Sequence, residues 1–253
     1  MTETQRHQEK FSFIRDRIDC GWFHLAAILD DGTCIAHGNN EAQQCDISQW
    51  NDIVKIQCGP LRTVGLRKDG MVLSTKGDVF TGGRIPGEGI EKFSDVIDIA
   101  CGTFHTVGLR KDGTVVACGF NDDGQCNVEA WQNVKKIYAA SNHTIALCDD
   151  GSLLYCGGRD GGALHLNGLT NVKEVYCGVN DTIIVTLDNK VYRTDYHNEQ
   201  PILLEIKGDE VAYVTFSVNH YLILKTDGTV LPFGSNDDGQ HNVYDWYGVL
   251  RMR

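Results

Sequence analysis

The chain repeats itself about every 40 residues, and this period constrains the fold more than any other feature. The stretch "HTVGLRKDGTVVACGFNDDGQCNVEAW" at 105–131 returns in closely related form at 220–246. Alignment on the first residue of "HTVGL" gives six equivalent positions: His24, Arg62, His105, His143, Asp181 and His220. Their steady spacing of 38 to 43 residues indicates a protein built from repeated supersecondary units.

Each unit predicts short antiparallel strands. In the fourth unit an apolar segment, "VKKIYAA" from Val134, precedes "HTIAL" at 143, an Asp-Gly turn and the strand "LLYCG" at 153. Asp-Gly between two apolar runs favours a hairpin in which the glycine has a positive φ. The fifth unit carries Asn189 at that position, and asparagine is the next residue to tolerate this conformation. Helical periodicity is missing throughout.

These units predict a single all-β domain over 1–253, a β-propeller of about six four-stranded blades, with seven blades as the alternative. The predicted repeats span 18–52, 53–95, 96–133, 134–171, 172–205 and 206–246. We expect the "HTVGL" strand to be innermost, because its alternation of large and small residues suits the narrow space near the axis. Either the segment near 16 or "VLRMR" at 249 could complete the last blade, and the sequence leaves this open.

The charge balance favours a protein partner. Lys plus Arg is 23 and Asp plus Glu is 34, a formal net charge of −11. Such a chain repels nucleic acid and anionic lipid, whereas a neutral or basic protein suits it. No apolar run approaches the roughly 20 residues of a membrane helix, and "MTETQRHQEK" lacks the apolar core of a signal peptide. We therefore expect a cytoplasmic monomer that binds neither nucleic acid nor a membrane.

The ten cysteines follow the repeat, which is typical of packing positions. One set shares the position four residues before the repeated His: Cys20, Cys58, Cys101 and Cys177. No Cys-x-x-Cys pair supplies zinc spacing, and no catalytic arrangement of Ser, His, Asp or Cys stands out from the repeat. The sequence predicts free thiols, no metal, no cofactor and no enzymatic activity.

The run "CGTFHTVGLRKDGTVVACGFNDDGQCNV" from Cys101 resembles the repeat of the regulator of chromosome condensation family, and the resemblance extends over about 18–246. It implies a β-propeller, usually of seven blades, in which the repeated His is a structural hydrogen-bonding group. Related repeats act as guanine-nucleotide exchange factors for a small GTPase of the Ran type, or inhibit an enzyme such as a β-lactamase. Exchange factors use a protruding wedge, for which only residues 82–89 qualify. Some propellers are lyases.

Residues that break the period are free to serve function. The two residues just before the His position vary most between the repeats, and we expect the six pairs to lie close together on one face of the ring. Trp22 is the only tryptophan outside the anchor position held by Trp50, Trp131 and Trp246. Exposed aromatics favour a protein-binding hot spot, although Trp22 and Phe23 could instead plug a channel mouth. The predicted partner-binding residues are Trp22, Phe23, Leu61, Arg62, Phe104, Asn142, Asn180 and Asn219.

The resulting hypothesis is a non-enzymatic propeller that binds another protein through one face of the ring. An exchange factor for a small GTPase, or a mimic of one, is the first alternative. A propeller enzyme such as a lyase is the second.

Overall fold

The fold is all-β. A computed structural model describes residues 16–76, 89–158, 166, 169–179, 181–195, 202–204, 206, 211–216, 220–237, 239 and 241–243. Within these residues, nineteen strands form six antiparallel sheets, and the one helical element that is assigned is a short 3-10 turn at Ile90–Lys92. The all-β class predicted from the repeat is confirmed, whereas the number of blades in the complete ring stays a prediction.

Each sheet follows the order of the chain. The first sheet contains β1 (Ile18–Cys20), β2 (His24–Ile28) and β3 (Cys34–Gly38). The second contains β4 (Ile53–Gly59), β5 (Arg62–Arg67) and β6 (Val72–Ser74), and the third β7 (Val96–Cys101), β8 (His105–Arg110) and β9 (Val115–Gly119). The fourth contains β10 (Val134–Ala140), β11 (His143–Cys148) and β12 (Leu153–Gly157). The fifth contains β13 (Val172–Cys177), β14 (Asp181–Thr186), β15 (Val191–Asp195) and β16 (Ile202–Leu204), and the sixth β17 (Val211–Phe216), β18 (His220–Lys225) and β19 (Val230–Gly234).

The "HTVGL" strand is the middle strand of its sheet. β8, for example, pairs with β7 on one side and with β9 on the other. The first strands lie at the sheet edge, where β4 touches β7 and β7 touches β10, and the middle strands β2 and β8 also touch the first strand of the sheet that follows. The prediction that the "HTVGL" strand is innermost was therefore wrong. The small residue Gly108 makes room for the ring of Phe93, because a Cβ at Gly108 would lie only 2.8 Å from that ring.

Two repeats that are described in full, 18–52 and 96–133, have tight turns in place of the predicted fourth strand. After β3 and after β9, the chain forms tight turns over 39–50 and 120–131. Side chains close these turns: the backbone N–H of Cys126 donates to Asn121 Oδ1 (2.7 Å) and that of Asp123 to Gln125 Oε1 (3.0 Å). Backbone groups satisfied in this way do not need a strand partner. Within the described residues, a fourth strand is present in the fifth sheet.

The hairpins between second and third strands have the geometry predicted from Asp-Gly. Gly113 has φ 81° and Gly228 φ 84°, and Asn189 adopts φ 60° in the fifth sheet. The carboxylate of Asp112 accepts hydrogen bonds from the backbone N–H (3.0 Å) and the hydroxyl (2.7 Å) of Thr114. The positive-φ turn is therefore confirmed, together with the substitution of Asn for Gly.

The core lies between neighbouring sheets. Val107, Leu109 and Val115 of the third sheet pack against Val134 and Ile137 of the fourth. Trp131 is 8% exposed in the same cluster, and Trp50 packs against the core of the first sheet, as expected of anchors. Trp246 lies outside the described residues. Burial of these faces holds adjacent sheets together and fixes where the connecting turns emerge.

Candidate functional site

The pairs that break the repeat lie in the turns between the first and second strand of each sheet. We call residues 21–23, 60–61, 102–104, 141–142 and 178–179 the turn face. These turns emerge at the end of the sheets opposite the Asp-Gly hairpins, because successive antiparallel strands reverse direction. Of the predicted binding residues, Asn180 and Asn219 lie outside the described part of the chain.

Trp22 and Phe23 are the most exposed aromatics of the turn face. Their side chains are 65% and 60% exposed, and the ring centroids lie 6.4 Å apart at 84°, edge to face. The turn that carries them is closed by a hydrogen bond from Gly21 N–H to His24 O (2.9 Å), and Asn39 N–H donates to Phe23 O (2.8 Å). A side chain that plugged a channel mouth would be largely buried, and neither of these is. The pair thus presents a large apolar area on a backbone fixed at both ends.

The next turns are less exposed, because their side chains have partners within the molecule. Phe104 is half-buried against Phe120, with ring centroids 5.4 Å apart. Asn142 donates from Nδ2 to Asp123 Oδ2 (2.8 Å), and Leu61 is half-buried. The turn face therefore concentrates its exposed aromatic surface in the first sheet.

Arg62 is buried rather than displayed, at 2% exposure. Its guanidinium crosses into the third sheet, where it donates to the carbonyls of Gly102 (3.3 Å), Thr103 (2.9 Å) and His105 (2.5 Å). A further bond reaches Thr106 Oγ1 (3.2 Å). Arg62 occupies the repeated His position and, because it is longer, spans the same interface with more donors. Its placement among the partner-binding residues is corrected accordingly.

The repeated histidines join neighbouring sheets. His105 Nε2 lies 2.9 Å from Thr144 Oγ1 of the fourth sheet, and that hydroxyl donates to Gln125 O (2.8 Å). Because the threonine's one hydrogen is used on the carbonyl, the histidine Nε2 must be the donor. The same arrangement joins the first two sheets through His24, Thr63 and Gln44, at 2.9 and 2.7 Å.

These rings are neutral at physiological pH. Burial lowers the pKa of His105 to about 3, with the nearby Arg62 charge acting in the same direction. Burial also lowers the pKa of His143 to about 4. A neutral ring with one N–H suits the bond to threonine, which fits the structural role that the resemblance implied.

The described residues offer little for metal or thiol chemistry. In that part of the chain, no group of three or more His, Cys, Asp or Glu side chains is placed to hold a metal ion. All ten cysteines are free of disulfides. Burial raises the pKa of Cys34 to about 11 and that of Cys118 to about 12, which keeps these sulfurs as thiols. No described helix is long and apolar enough to cross a membrane.

Residues 96–125 match the family model of the regulator of chromosome condensation (RCC1) repeat. Most of the third repeat is therefore similar to the RCC1 repeat. This match covers the third sheet and the start of the loop that follows it, and it confirms the resemblance seen in the sequence. No curated protein sequence matches the chain.

Several solved structures resemble this chain over most of its length. Human WBSCR16 is 16% identical and matches with a TM-score of 0.70 over 92% of this chain and 79% of that protein. Prp20p from Saccharomyces cerevisiae is 16% identical, with a TM-score of 0.68 over 86% of this chain and 71% of its own. The CRINKLY WD40 ectodomain of the Arabidopsis thaliana receptor kinase ACR4 is 15% identical, with a TM-score of 0.63 over 87% and 84%. At these identities the likeness establishes the fold, and the predicted β-propeller is confirmed.

Sequence reasoning missed a second group of exposed apolar side chains, on one side of the first sheet. Ile18, Leu25 and Ile35 there are 49%, 43% and 43% exposed. The sequence repeat carried the signal, because the unit "HLAAI" has Leu25 where the next four units have a threonine, three of which receive an inter-sheet hydrogen bond.

Proposed function

We propose that the chain is a non-enzymatic, protein-binding RCC1-type propeller whose partner docks on the turn face at Trp22 and Phe23. The observation that carries this proposal is the exposure of two adjacent aromatic side chains, 65% and 60%, on a turn held by backbone hydrogen bonds. Rigid aromatics of this kind contribute most of the binding energy in many protein interfaces, because little conformational entropy is lost when they are covered.

The partner is a neutral or basic protein, since the chain has a formal net charge of −11. Residues 16–50 contain six carboxylates and one guanidinium, so the field around Trp22 is negative. The yeast Prp20p structure is described together with that protein's binding to Gsp1p and histones, which supports a protein partner for a propeller of this fold. We propose that the chain acts as a monomer in the cytoplasm and binds neither nucleic acid nor a membrane.

The alternatives have less support. An exchange factor needs a wedge, and the candidate segment 82–89 lies outside the described residues except for Gly89. A lyase needs an acid and a base within reach of one substrate. The larger side chains of the described turn face are instead aromatic, aliphatic or uncharged polar: Trp22, Phe23, Leu61, Phe104, Asn142 and Val179. Protein binding without catalysis is the function that this surface supports best.

Affinity capture from extract of the native cells tests the proposal. The parent, Trp22→Ala and Leu187→Ala are compared, because Leu187 is also 65% exposed but lies in the Asp-Asn hairpin at the opposite end of its sheet. A specific protein partner is expected with the parent and Leu187→Ala, and reduced at least tenfold with Trp22→Ala. Equal recovery with all three proteins would reject the turn face as the binding site.

A further inference from the structure

The turn that carries Trp22 and Phe23 lies directly against the second sheet. A Cβ at Gly21 would lie 2.5 Å from the carbonyl oxygen of Gly59 and 2.4 Å from the ring of His24. Only glycine permits so close an approach, so the turn rests on its own histidine ring and on the backbone of the neighbouring sheet. The position of the exposed aromatic pair therefore depends on how the first sheet is joined to the second.

A carboxylate makes this connection on one side of the turn. Asp19, in β1, accepts a hydrogen bond on Oδ2 from the backbone N–H of Cys58 in β4 (2.7 Å). The thiol of Cys58 also donates to Asp19 O (3.6 Å). Both residues are half-buried, and a bond from an N–H to a carboxylate is roughly twice as strong as one between neutral groups. The carboxylate thus holds β1 against the second sheet three residues before Trp22.

The other side of the turn is joined to the same sheet, because His24 in β2 bonds Thr63 in β5 (2.9 Å). The turn over 21–23 therefore lies between two hydrogen bonds to one neighbour. The bond from histidine to threonine recurs between the third and fourth sheets, whereas the carboxylate belongs to the first unit alone. The positions equivalent to Asp19 hold other residue types: Gln57, Ala100, Tyr138, Tyr176 and Thr215.

The next two sheets do not use a side chain at this position to join their neighbour. Gln57 Nε2 donates to Ile56 O of its own strand (3.1 Å), and Ala100 has no polar side-chain atom. The third turn is instead joined to the fourth through the backbone, where Thr103 N–H donates to Ser141 O (2.8 Å). Ser141 adopts φ 47° in making this contact.

Proline prevents the same backbone link at the first turn. Pro60 stands where the fourth unit has Ser141, and its ring holds φ near about −65°, far from the positive value of that serine. Among the described residues, the N–H of Trp22 accordingly donates no hydrogen bond to Pro60 O. Asp19 supplies a connection between the first two sheets at the place where the backbone link is missing.

We propose that Asp19 is a positioning residue for partner binding, whose carboxylate fixes the turn of Trp22 and Phe23 against the second sheet. The proposal rests on the protein-binding function proposed above and explains how that site is held in its binding conformation. Because Cys58 lies two residues before the turn at 60–61, the same bond fixes the first two turns relative to each other, and the partner contacts them as one surface. A surface that is already rigid loses little conformational entropy when a partner covers it, so it binds more tightly than a mobile one.

Two substitutions separate positioning from attraction by charge. Asp19→Asn removes the charge but keeps an oxygen that accepts from the N–H of Cys58, whereas Asp19→Ala removes the acceptor. The third sheet forms with Ala100 at this position, so we expect Asp19→Ala to fold, and thermal melting checks it. Thr144→Val is the matched control, because it removes an acceptor between the third and fourth sheets.

Hydrogen exchange in the purified full chain tests the bond without any partner. The amide of Cys58 should exchange at least tenfold faster in Asp19→Ala than in the parent, because its acceptor is lost. In Asp19→Asn the increase should be less than threefold. Thr144→Val should leave the rate within twofold of the parent, since that substitution acts at another interface.

Capture from extract of the native cells then tests the effect on binding. Recovery of the protein whose capture depends on Trp22 should fall at least fivefold with Asp19→Ala. It should stay within twofold of the parent with Asp19→Asn and with Thr144→Val. The control is expected to lose thermal stability without losing capture, so a loss of capture in Asp19→Ala does not follow from lower stability alone.

Undiminished capture by Asp19→Ala, or an unchanged exchange rate at Cys58, would overturn the proposal. Equal losses with Asp19→Asn and Asp19→Ala would show that the charge attracts the partner directly, and an Asp19→Ala chain without a cooperative melt would show that the residue supports the whole fold. Either result also overturns it. The proposed function has a separate readout: it fails if capture does not depend on Trp22, whereas capture that depends on Trp22 but not on Asp19 removes only the positioning role.

Discussion

His105 of the third sheet donates a hydrogen bond from Nε2 to Oγ1 of Thr144 in the fourth sheet, over 2.9 Å. Both residues are 0% exposed, and the hydroxyl of Thr144 donates its own hydrogen bond to Gln125 O. The His-Thr dipeptide of the third unit therefore serves two interfaces: Thr106 receives a bond from Arg62 of the unit before, and His105 donates to Thr144 of the unit after. Arg62 replaces a histidine by spanning the same interface.

Loss of this bond should destabilise the fold. Thr144→Val keeps the shape of the side chain but leaves the His105 N–H buried without its acceptor, and leaves the Gln125 carbonyl with only the weak thiol donor of Cys156. We expect the free energy of unfolding to fall by about 1–3 kcal/mol, measured by urea denaturation. Thr114→Val is the control, since that hydroxyl bonds an exposed carboxylate within its own turn. A Thr144→Val protein as stable as the parent would contradict the role of the bond.

The buried histidines predict loss of stability in mild acid. The folded-state pKa is about 3 for His105 and about 4 for His143, whereas an unfolded histidine has a pKa of about 6.5. The unfolded state therefore binds more protons between these values, so stability is complete above about pH 6.5 and declines as pH falls toward 4 and 3. Aspartates such as Asp112, whose pKa is lowered by bonds from Thr114, contribute only below about pH 4.

Urea midpoints at pH 7, 6 and 5 measure this decline in the window where carboxylates do not interfere. His105→Gln removes one of the titrating groups and should give a shallower slope. A midpoint that is constant from pH 7 to pH 5 in the parent would contradict the burial of neutral rings.

The Asp-Gly turn predicts opposite outcomes for two substitutions. Gly113→Val places a β-branched residue at φ 81° and should cost on the order of 1–3 kcal/mol. The cost is conformational, because a Cβ at Gly113 would meet its nearest neighbour at an ordinary 3.5 Å. Asn189→Gly should be tolerated, since glycine adopts φ 60° freely. Equal melting temperatures for Gly113→Val and the parent would rule out strain at this turn.

Replacing an exposed and a buried tryptophan should change the thermal stability by different amounts. Trp22→Ala removes a side chain that is 65% exposed, and stability should change by less than about 0.5 kcal/mol. Trp131→Ala empties a site that is 8% exposed between two sheets and should cost about 3–5 kcal/mol. A marked drop in the melting temperature of Trp22→Ala would instead favour a packing role for that residue.

Sequence periodicity accounts for much of the fold. The spacing of the "HTVGL" motif predicted the all-β class, and Asp-Gly predicted the positive φ at Gly113. Strand order was not accessible, because alternation of large and small residues shows that both faces of a strand are packed without showing which strand lies inside. The turns that replace a fourth strand depend on side-chain bonds such as that of Asn121, which spacing does not reveal.

The candidate site was predicted only in part. Trp22 and Phe23 are exposed as a binding surface requires, since nothing in the repeat gives them a partner. Arg62 looked equally exceptional, but a break in the repeat can also be a substitution that preserves a buried contact. The exposed aliphatic side chains of the first sheet were missed, because the exposure of Leu25 depends on which sheets are neighbours.

Site-specific photo-crosslinking tests the central claim, that a protein partner docks on the turn face, most directly. A benzophenone amino acid replaces Trp22 in one protein and Leu187 in another, so that both probes start from a side chain 65% exposed, at opposite ends of the sheets. After irradiation in extract of the native cells, the account predicts a discrete adduct with one protein at position 22 and none with that protein at position 187. The same adducts at both positions, or none at position 22, would contradict it.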